Sequence, residues 1–341
     1  MAQLAKRRLG KTGPEVSALG FGAMGLSASY GQVEENNTRF AVLDRALELG
    51  ATFWDTSDVY ADSEDLLKLW FERTGKRDQI FLATKFAVTI GPDKKPAIRS
   101  DPEYVRQACE KSLKRLGVDK IDLYYCHRVD KQTPIEHTVA ALAELKKEGK
   151  IGAIGLSEVS AATIRRAEKV HHIDAVQFEY SPFALDIESP EIGILQVCRE
   201  LDIAIIAYSP LGRGFLTGQI KSPDDFEEGD FRKHAPRYNK DNFNKNLKLV
   251  ERLQDLATRK ECTSGQLSLA WLLAQGPDII PIPGTKKIKY LNENVGAVNI
   301  KLTADEVKEI RAEIEKVEVA GDRYPPAFQS FSFGDTPELN S

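Results

Sequence analysis

The feature that most limits what this chain can become is a repeat of two textures, starting near residue 35. One is amphipathic helix, as in TRFAVLDRALELG (38–50), EYVRQACEKSLKRLG (103–117) and TVAALAELKKEGK (138–150). The other is a short continuous apolar run, as in ATFWDT (51–56), KIDLYYCH (120–127), IGAIGLS (151–157), DAVQFEY (174–180) and IAIIAYS (203–209). Apolar runs without polar alternation predict strands covered on both faces, and strands alternating with helices predict a parallel sheet. Strand candidates fall at 19–22, 51–54, 80–84, 121–126, 151–156, 174–179, 203–208 and 279–283. Eight such units suit a closed (β/α)8 TIM barrel better than an open doubly wound sheet.

A single domain over residues 1–341 is therefore expected. Upstream, KRRLGKTGPEVSALG carries two strand-like pieces about a Lys-Thr-Gly-Pro turn, and reads as an N-terminal β-hairpin plugging the barrel bottom. A C-terminal helix precedes an irregular aromatic tail over 318–341, with Tyr324, Phe328, Phe331 and Phe333. That tail reads as either disordered or folded back over the site. Residues 213–241 form the longest irregular stretch, the kind that serves as a binding loop.

A net charge of −4 without a long basic block argues against nucleic acid or an anionic membrane as partner. No apolar run approaches 18 residues, so a soluble cytoplasmic protein is expected. The scattered Cys109, Cys126, Cys198 and Cys262 read as reduced core thiols, and the five histidines have no metal-ligand spacing. GFGAMG (20–25) matches a dinucleotide fingerprint, but LSASYGQVEENN after it is turn-like where the fingerprint needs a helix. Its glycines read instead as close backbone approach at the mouth of the first strand.

The polar residues fall at strand ends. Asp55 ends the second strand, Lys85 the third and His127 the fourth, with Tyr60 in the loop after Asp55. In a barrel those ends converge on the face that houses catalysis. Each has a structural reading too: Asp55 as a helix cap, Tyr60 as loop packing, His127 as a bonded core residue. Lys85 is harder to place so, because a buried ammonium without a partner is costly. Paired with Asp55, it would lower the pKa of a nearby Tyr60, and His127 would orient a carbonyl beside that phenol.

DTSDVY (55–60), LATKF (82–86) and DLYYCHRVD (122–130) resemble the tetrad motifs of the aldo-keto reductase family. The resemblance runs on through LGFGAMGLS (19–27), GLSEVS (155–160), VQFEYSP (176–182), AYSPLGRGFLTG (207–218) and IPIPGTKKIKYLNENVGA (280–297). It is strongest for the branch with pyridoxal and perakine reductases and many fungal members. It implies NADPH-dependent reduction of a small-molecule aldehyde or ketone, with Tyr60 as general acid, Asp55 and Lys85 as its tuning pair and His127 positioning the carbonyl. Gly22 and Met24 would line the cofactor groove, and Ser157, Glu158 and Gln177 would hold the carboxamide. Tyr208 would stack on the nicotinamide. Ser209, Pro210, Leu211, Gly212, Arg213 and Gly214 would follow the pyrophosphate, with Arg213 supplying charge. Gly284, Thr285 and Lys286 would take the 2′-phosphate of NADP+, and Glu293 and Asn294 the adenine.

Two departures stand out: Glu158 where the family often has Asn, and Ala61 where Gly is common after the tetrad tyrosine. Trp54 reads as core, while Tyr30, Tyr125, Arg128 and the 213–241 loop are candidates for the substrate rim. Two other functions remain open at this point. The family includes potassium-channel β-subunits, which keep barrel and cofactor while serving as partners, and a strand lysine beside an acid also suits a Schiff-base lyase. The physiological carbonyl and the oligomeric state are not legible.

Overall fold

In the computed structural model, which describes residues 4–91 and 96–339, the apolar runs become strands at nearly the expected positions. The chain opens with an antiparallel hairpin of β1 (Lys6–Arg8) and β2 (Glu15–Ser17). β3 (Phe21–Gly22), β4 (Phe53–Asp55) and β5 (Phe81–Phe86) follow, and then a second small hairpin of β6 (Val88–Ile90) and β7 (Pro96–Ile98). The sheet resumes with β8 (Ile121–Cys126), β9 (Ile151–Ser157), β10 (Ala175–Glu179), β11 (Ala204–Tyr208) and β12 (Ile279–Pro281). These eight are all parallel, in the order β3-β4-β5-β8-β9-β10-β11-β12.

The sheet closes where β3 meets the residues around β12. The amide of Gly20 donates to Pro281 O at 2.9 Å and that of Gly22 to Pro283 O at 3.2 Å. Glycine is needed at this seam: a Cβ on Gly22 would lie 2.9 Å from Ile282 O, and one on Gly284 only 2.5 Å from Gly22 O. GFGAMG thus serves barrel closure. Only one helical turn, Met24–Ser27, follows it before the helix Asn36–Glu48.

Two apolar layers hold the barrel. Inside, Phe53, Ala83, Leu123, Ala153, Ala175, Ala204, Ile206 and Ile280 interlock, and the hairpin adds Leu9 and Val16 beneath them. The Arg7 guanidinium fixes the hairpin by donating to the carbonyls of Leu273, Gly276 and Ile279. Outside, helices cover the strands through Trp54, Trp70, Leu113, Leu142 and many others. Each such side chain contributes roughly 1.5–3 kcal/mol on full burial. Trp54 is core, edge-on to Trp70 with ring centroids 4.7 Å apart. Gly75 and Gly117 end their helices at φ +64° and +65°, left-handed positions that favour glycine.

The tail folds back rather than trailing away. Gly334 pairs with Val159, Phe333 stacks on Phe178 at 5.8 Å, and Arg323 and Tyr324 reach the C-terminal mouth of the barrel. The side chain of Phe328 and residues 340–341 lie outside the described residues.

Candidate functional site

The strand ends bring the four motif residues together. Lys85 is fully buried, and its Nζ donates to Asp55 Oδ1 at 2.5 Å and to Thr56 O at 2.7 Å. The other Asp55 oxygen accepts from Gln177 Nε2 at 2.8 Å. Lys85 Nζ lies 5.1 Å from the Tyr60 ring centroid, and the Tyr60 and His127 rings meet edge-on at 5.7 Å. Ladder bonds continue past the strand ends and fix these positions: Thr56 N donates to Ala83 O, Asp58 N to Lys85 O and His127 N to Phe86 O. Ala61 has φ +46°, so the loop carrying Tyr60 keeps a left-handed turn although the residue is alanine.

Burial dominates the electrostatics. It pushes the Asp55 carboxyl up and the Lys85 ammonium down, each opposed by the partner's charge. Burial, with Arg128 and Lys85 adding to it, holds His127 well below its usual range and therefore neutral at pH 7. The expected lowering of Tyr60 does not occur: burial and then Asp55 raise it, and Arg128 only partly opposes them. The Lys85 ammonium is committed to Asp55 and Thr56 O, so the phenol stays protonated through the neutral range.

His127 also has a partner that sequence reasoning missed. Ser57 Oγ lies 3.1 Å from His127 Nδ1, and both residues are buried. A Ser57 hydroxyl donating there places the imidazole proton on Nε2.

From this floor a cavity of about 510 Å³ runs along the mouth. Gly22, Met24, Asp55, Tyr60, His127, Ser157, Gln177, Tyr208, Ser209, Pro210, Leu211, Arg213, Gly214, Gly284, Thr285, Lys286, Glu293 and Asn294 all line it. Tyr30 and Arg128 line it too, but Tyr125 does not: its ring is fully buried inside the barrel, against Gly155. The hydroxyl of Tyr208 donates to Glu158 Oε1 at 2.8 Å and bonds Tyr324 at 2.9 Å, which fixes its ring as a wall. At the far end, Lys287 stands at the N-cap of helix Ile288–Gly296, which has no side-chain cap. Lys286 Nζ reaches across the groove to the carbonyls of Tyr30 at 2.5 Å and Gln32 at 2.9 Å.

Two of the expected groove residues lie off it, and a third lines it with its charge already countered. Glu158 does not line the groove: it is fully buried, and its carboxylate faces Tyr208, the Glu179 amide and Arg323, whose nitrogens lie 3.2 and 3.3 Å away. Burial would raise its pKa, but Arg323, then Arg128 and the Tyr208 hydroxyl, bring it below the usual range. Gly212 turns the loop at φ +54° with its α-carbon facing Phe183 and Leu216, and so contributes shape instead of groove surface. Arg213 lines the groove, but it is sandwiched between the Phe231 and Tyr324 rings and paired with Glu179 at 3.5 Å, so its charge is already countered. The one available signal for Arg323 was Glu158 itself, since a carboxylate at a buried strand end needs a cation from somewhere.

Comparison with known proteins agrees with the geometry. The model of the aldo/keto reductase family matches residues 18–315. A Schizosaccharomyces pombe protein, aldo-keto reductase yakc [NADP(+)], is 55% identical over 327 residues, 95% of this chain and 96% of that protein. Aldo-keto reductase str7 of Strobilurus tenacellus is 54% identical over 341 residues, covering 98% and 99%. Among solved structures, the glycerol dehydrogenase AKR11B4 from Gluconobacter oxydans superposes with a TM-score of 0.81 at 26% identity, over 94% of this chain and 98% of that one.

Proposed function

The chain belongs to the aldo/keto reductase family, and from that premise we propose that it reduces an aldehyde or ketone to the alcohol with NADPH, Tyr60 giving the proton. The observation that carries this reading is the buried Asp55–Lys85 pair beneath Tyr60 and His127, at one end of a single long groove. The groove suits a phosphorylated dinucleotide. Its far end joins cationic side chains to the uncapped N-terminus of a nine-residue helix, a setting that favours phosphate. Its near end has a fixed aromatic wall, Tyr208, and the polar groups of Ser157 and Gln177.

In this reading Gly284, Thr285 and Lys286 hold the phosphate-bearing ribose, Glu293 and Asn294 the adenine, and Ser209, Pro210, Leu211, Arg213 and Gly214 the pyrophosphate. When bound, the reduced nicotinamide supplies the hydride. The protein supplies placement and the proton. His127, neutral, turns Nε2 to the substrate oxygen, and Nε2 carries the proton when the Ser57 hydroxyl donates to Nδ1. Tyr60, held protonated by burial, delivers its proton as charge develops on that oxygen. Solvent then reprotonates the phenolate that remains, since burial and Asp55 favour the neutral phenol.

NADPH oxidation with 4-nitrobenzaldehyde, run beside Tyr60→Phe, tests this. Turnover should fall by about 10²–10⁴-fold while fluorescence titration still shows NADPH binding. A Tyr60→Phe enzyme as fast as wild type would remove Tyr60 from the chemistry. If wild type were inert although NADPH binds, the barrel would be a cofactor-holding partner protein instead.

A further inference from the structure

The cations around the tetrad are nearly all paired with acids: Lys85 with Asp55, Arg213 with Glu179, Arg232 with Asp230 and Arg323 with Glu158. Arg128 is the exception among the described residues. It directly follows His127, is half-buried, and lines the groove with Tyr60, His127, Ser157, Tyr208 and Tyr324. Its hydrogen bonds leave from Nη1 alone, to His127 O at 2.7 Å and Ser157 Oγ at 3.3 Å. Nε and Nη2 have no acceptor among the described residues, yet neither belongs to the sealed, unsatisfied atoms of the interior, so both remain open to the groove.

A guanidinium has five donors in a planar fork and does not shed its charge at neutral pH. Two neutral acceptors on one nitrogen leave most of that fork unused. The nearby carboxylate of Glu158 is committed to Arg323 and Tyr208. What the open fork matches is a carboxylate, which it can bind through two parallel hydrogen bonds. The backbone bond to His127 holds it beside the residue that would orient the carbonyl.

We propose that Arg128 recognises a carboxylate carried by the substrate close to its reacting carbonyl, so that oxo acids and carboxy-aldehydes are the preferred substrate class. This rests on the reductase reading above and narrows it. Arg128 orients and selects the substrate, whereas proton delivery stays with Tyr60.

The test compares kcat/KM for two matched pairs, phenylglyoxylate with its methyl ester and 3-carboxybenzaldehyde with its methyl ester, in wild type, Arg128→Met and Arg128→Lys. In wild type at least one acid should outrun its ester. In Arg128→Met that acid-to-ester ratio should fall at least tenfold, chiefly through the acid's KM, and Arg128→Lys should recover part of it. Calorimetry of benzoate against the NADP+-loaded protein gives a readout independent of turnover, with binding expected in wild type and lost in Arg128→Met. Thermal melts identify a variant that fails to fold, in which case Arg128→Lys and the wild-type preference decide.

An unchanged ratio in Arg128→Met would overturn the proposal and leave Arg128 a tie to Ser157. Lost NADPH affinity with an unchanged ratio would overturn it in favour of a cofactor contact. If wild type fails to reduce even neutral 4-nitrobenzaldehyde, the reductase reading fails, and benzoate calorimetry still reports separately on Arg128.

Discussion

Arg128 aside, the two ends of the groove handle charge in opposite ways. At the tetrad end Lys85 is sealed against Asp55, and just behind it Glu158 is sealed against Arg323. At the other end Lys286 touches only backbone carbonyls, Lys287 and Lys289 are exposed, and none of the three has an ion pair among the described residues. Charges that must stabilise a reacting oxygen are oriented before anything binds, which is how an electrostatic site avoids reorganisation during the reaction. In the proposed reading, the charges that would recognise a ligand's phosphate are left for the ligand to neutralise.

The sharpest way to break that contrast is Lys85→Met. Removing one partner of a buried pair strands the other, so unfolding in urea should show a loss of about 3–5 kcal/mol together with near-complete loss of turnover. A fully stable variant would mean that Asp55 is protonated or hydrated rather than dependent on Lys85. At the opposite end Lys286→Met should leave the fold intact. It should weaken NADPH by about tenfold, roughly 1.4 kcal/mol, while NADH loses much less and added salt weakens the wild-type advantage. Equal losses for the two cofactors would move the 2′-phosphate elsewhere.

The smallest effect belongs to Asp58, beside the tetrad loop. Burial, and then Glu64, raise its carboxyl from 3.8 to about 7. A folded-state pKa above the unfolded one stabilises at low pH, and that contribution is lost as pH rises through about 7. Asp58→Asn should therefore melt a few degrees above wild type at pH 8 and gain less, or nothing, at pH 5. Parallel melting curves at the two pH values would show that Asp58 is solvated after all.

The parts legible in the sequence are those written in local pattern. Strand positions followed from apolar runs, and Asp55, Lys85 and His127 stood out because each ends such a run on the same face. What local pattern could not carry was pairing across distance. Ser57 and His127 are 70 positions apart, and nothing near either one announces the other. Arg213 read as supplying charge because Glu179, its partner, lies 34 positions earlier at the end of β10. The expected lowering of the Tyr60 pKa rested on nearness to a Lys85 already paired with Asp55. That burial and the Asp55 charge outweigh the ammonium depends on distances no local pattern gives.

Glu158 and Arg323 are 165 positions apart, and their contact has a consequence for how the protein is made. Synthesis runs from the N-terminus, so all eight strands leave the ribosome before Arg323 does. A nascent chain long enough to close its barrel still holds Glu158 without its cation, and the Tyr208 wall without Tyr324. Until those residues arrive, that carboxylate has the Tyr208 hydroxyl, the Glu179 amide and the Arg128 charge, but no ion-pair partner. Translation thus supplies the barrel first and the ion pair behind its mouth later.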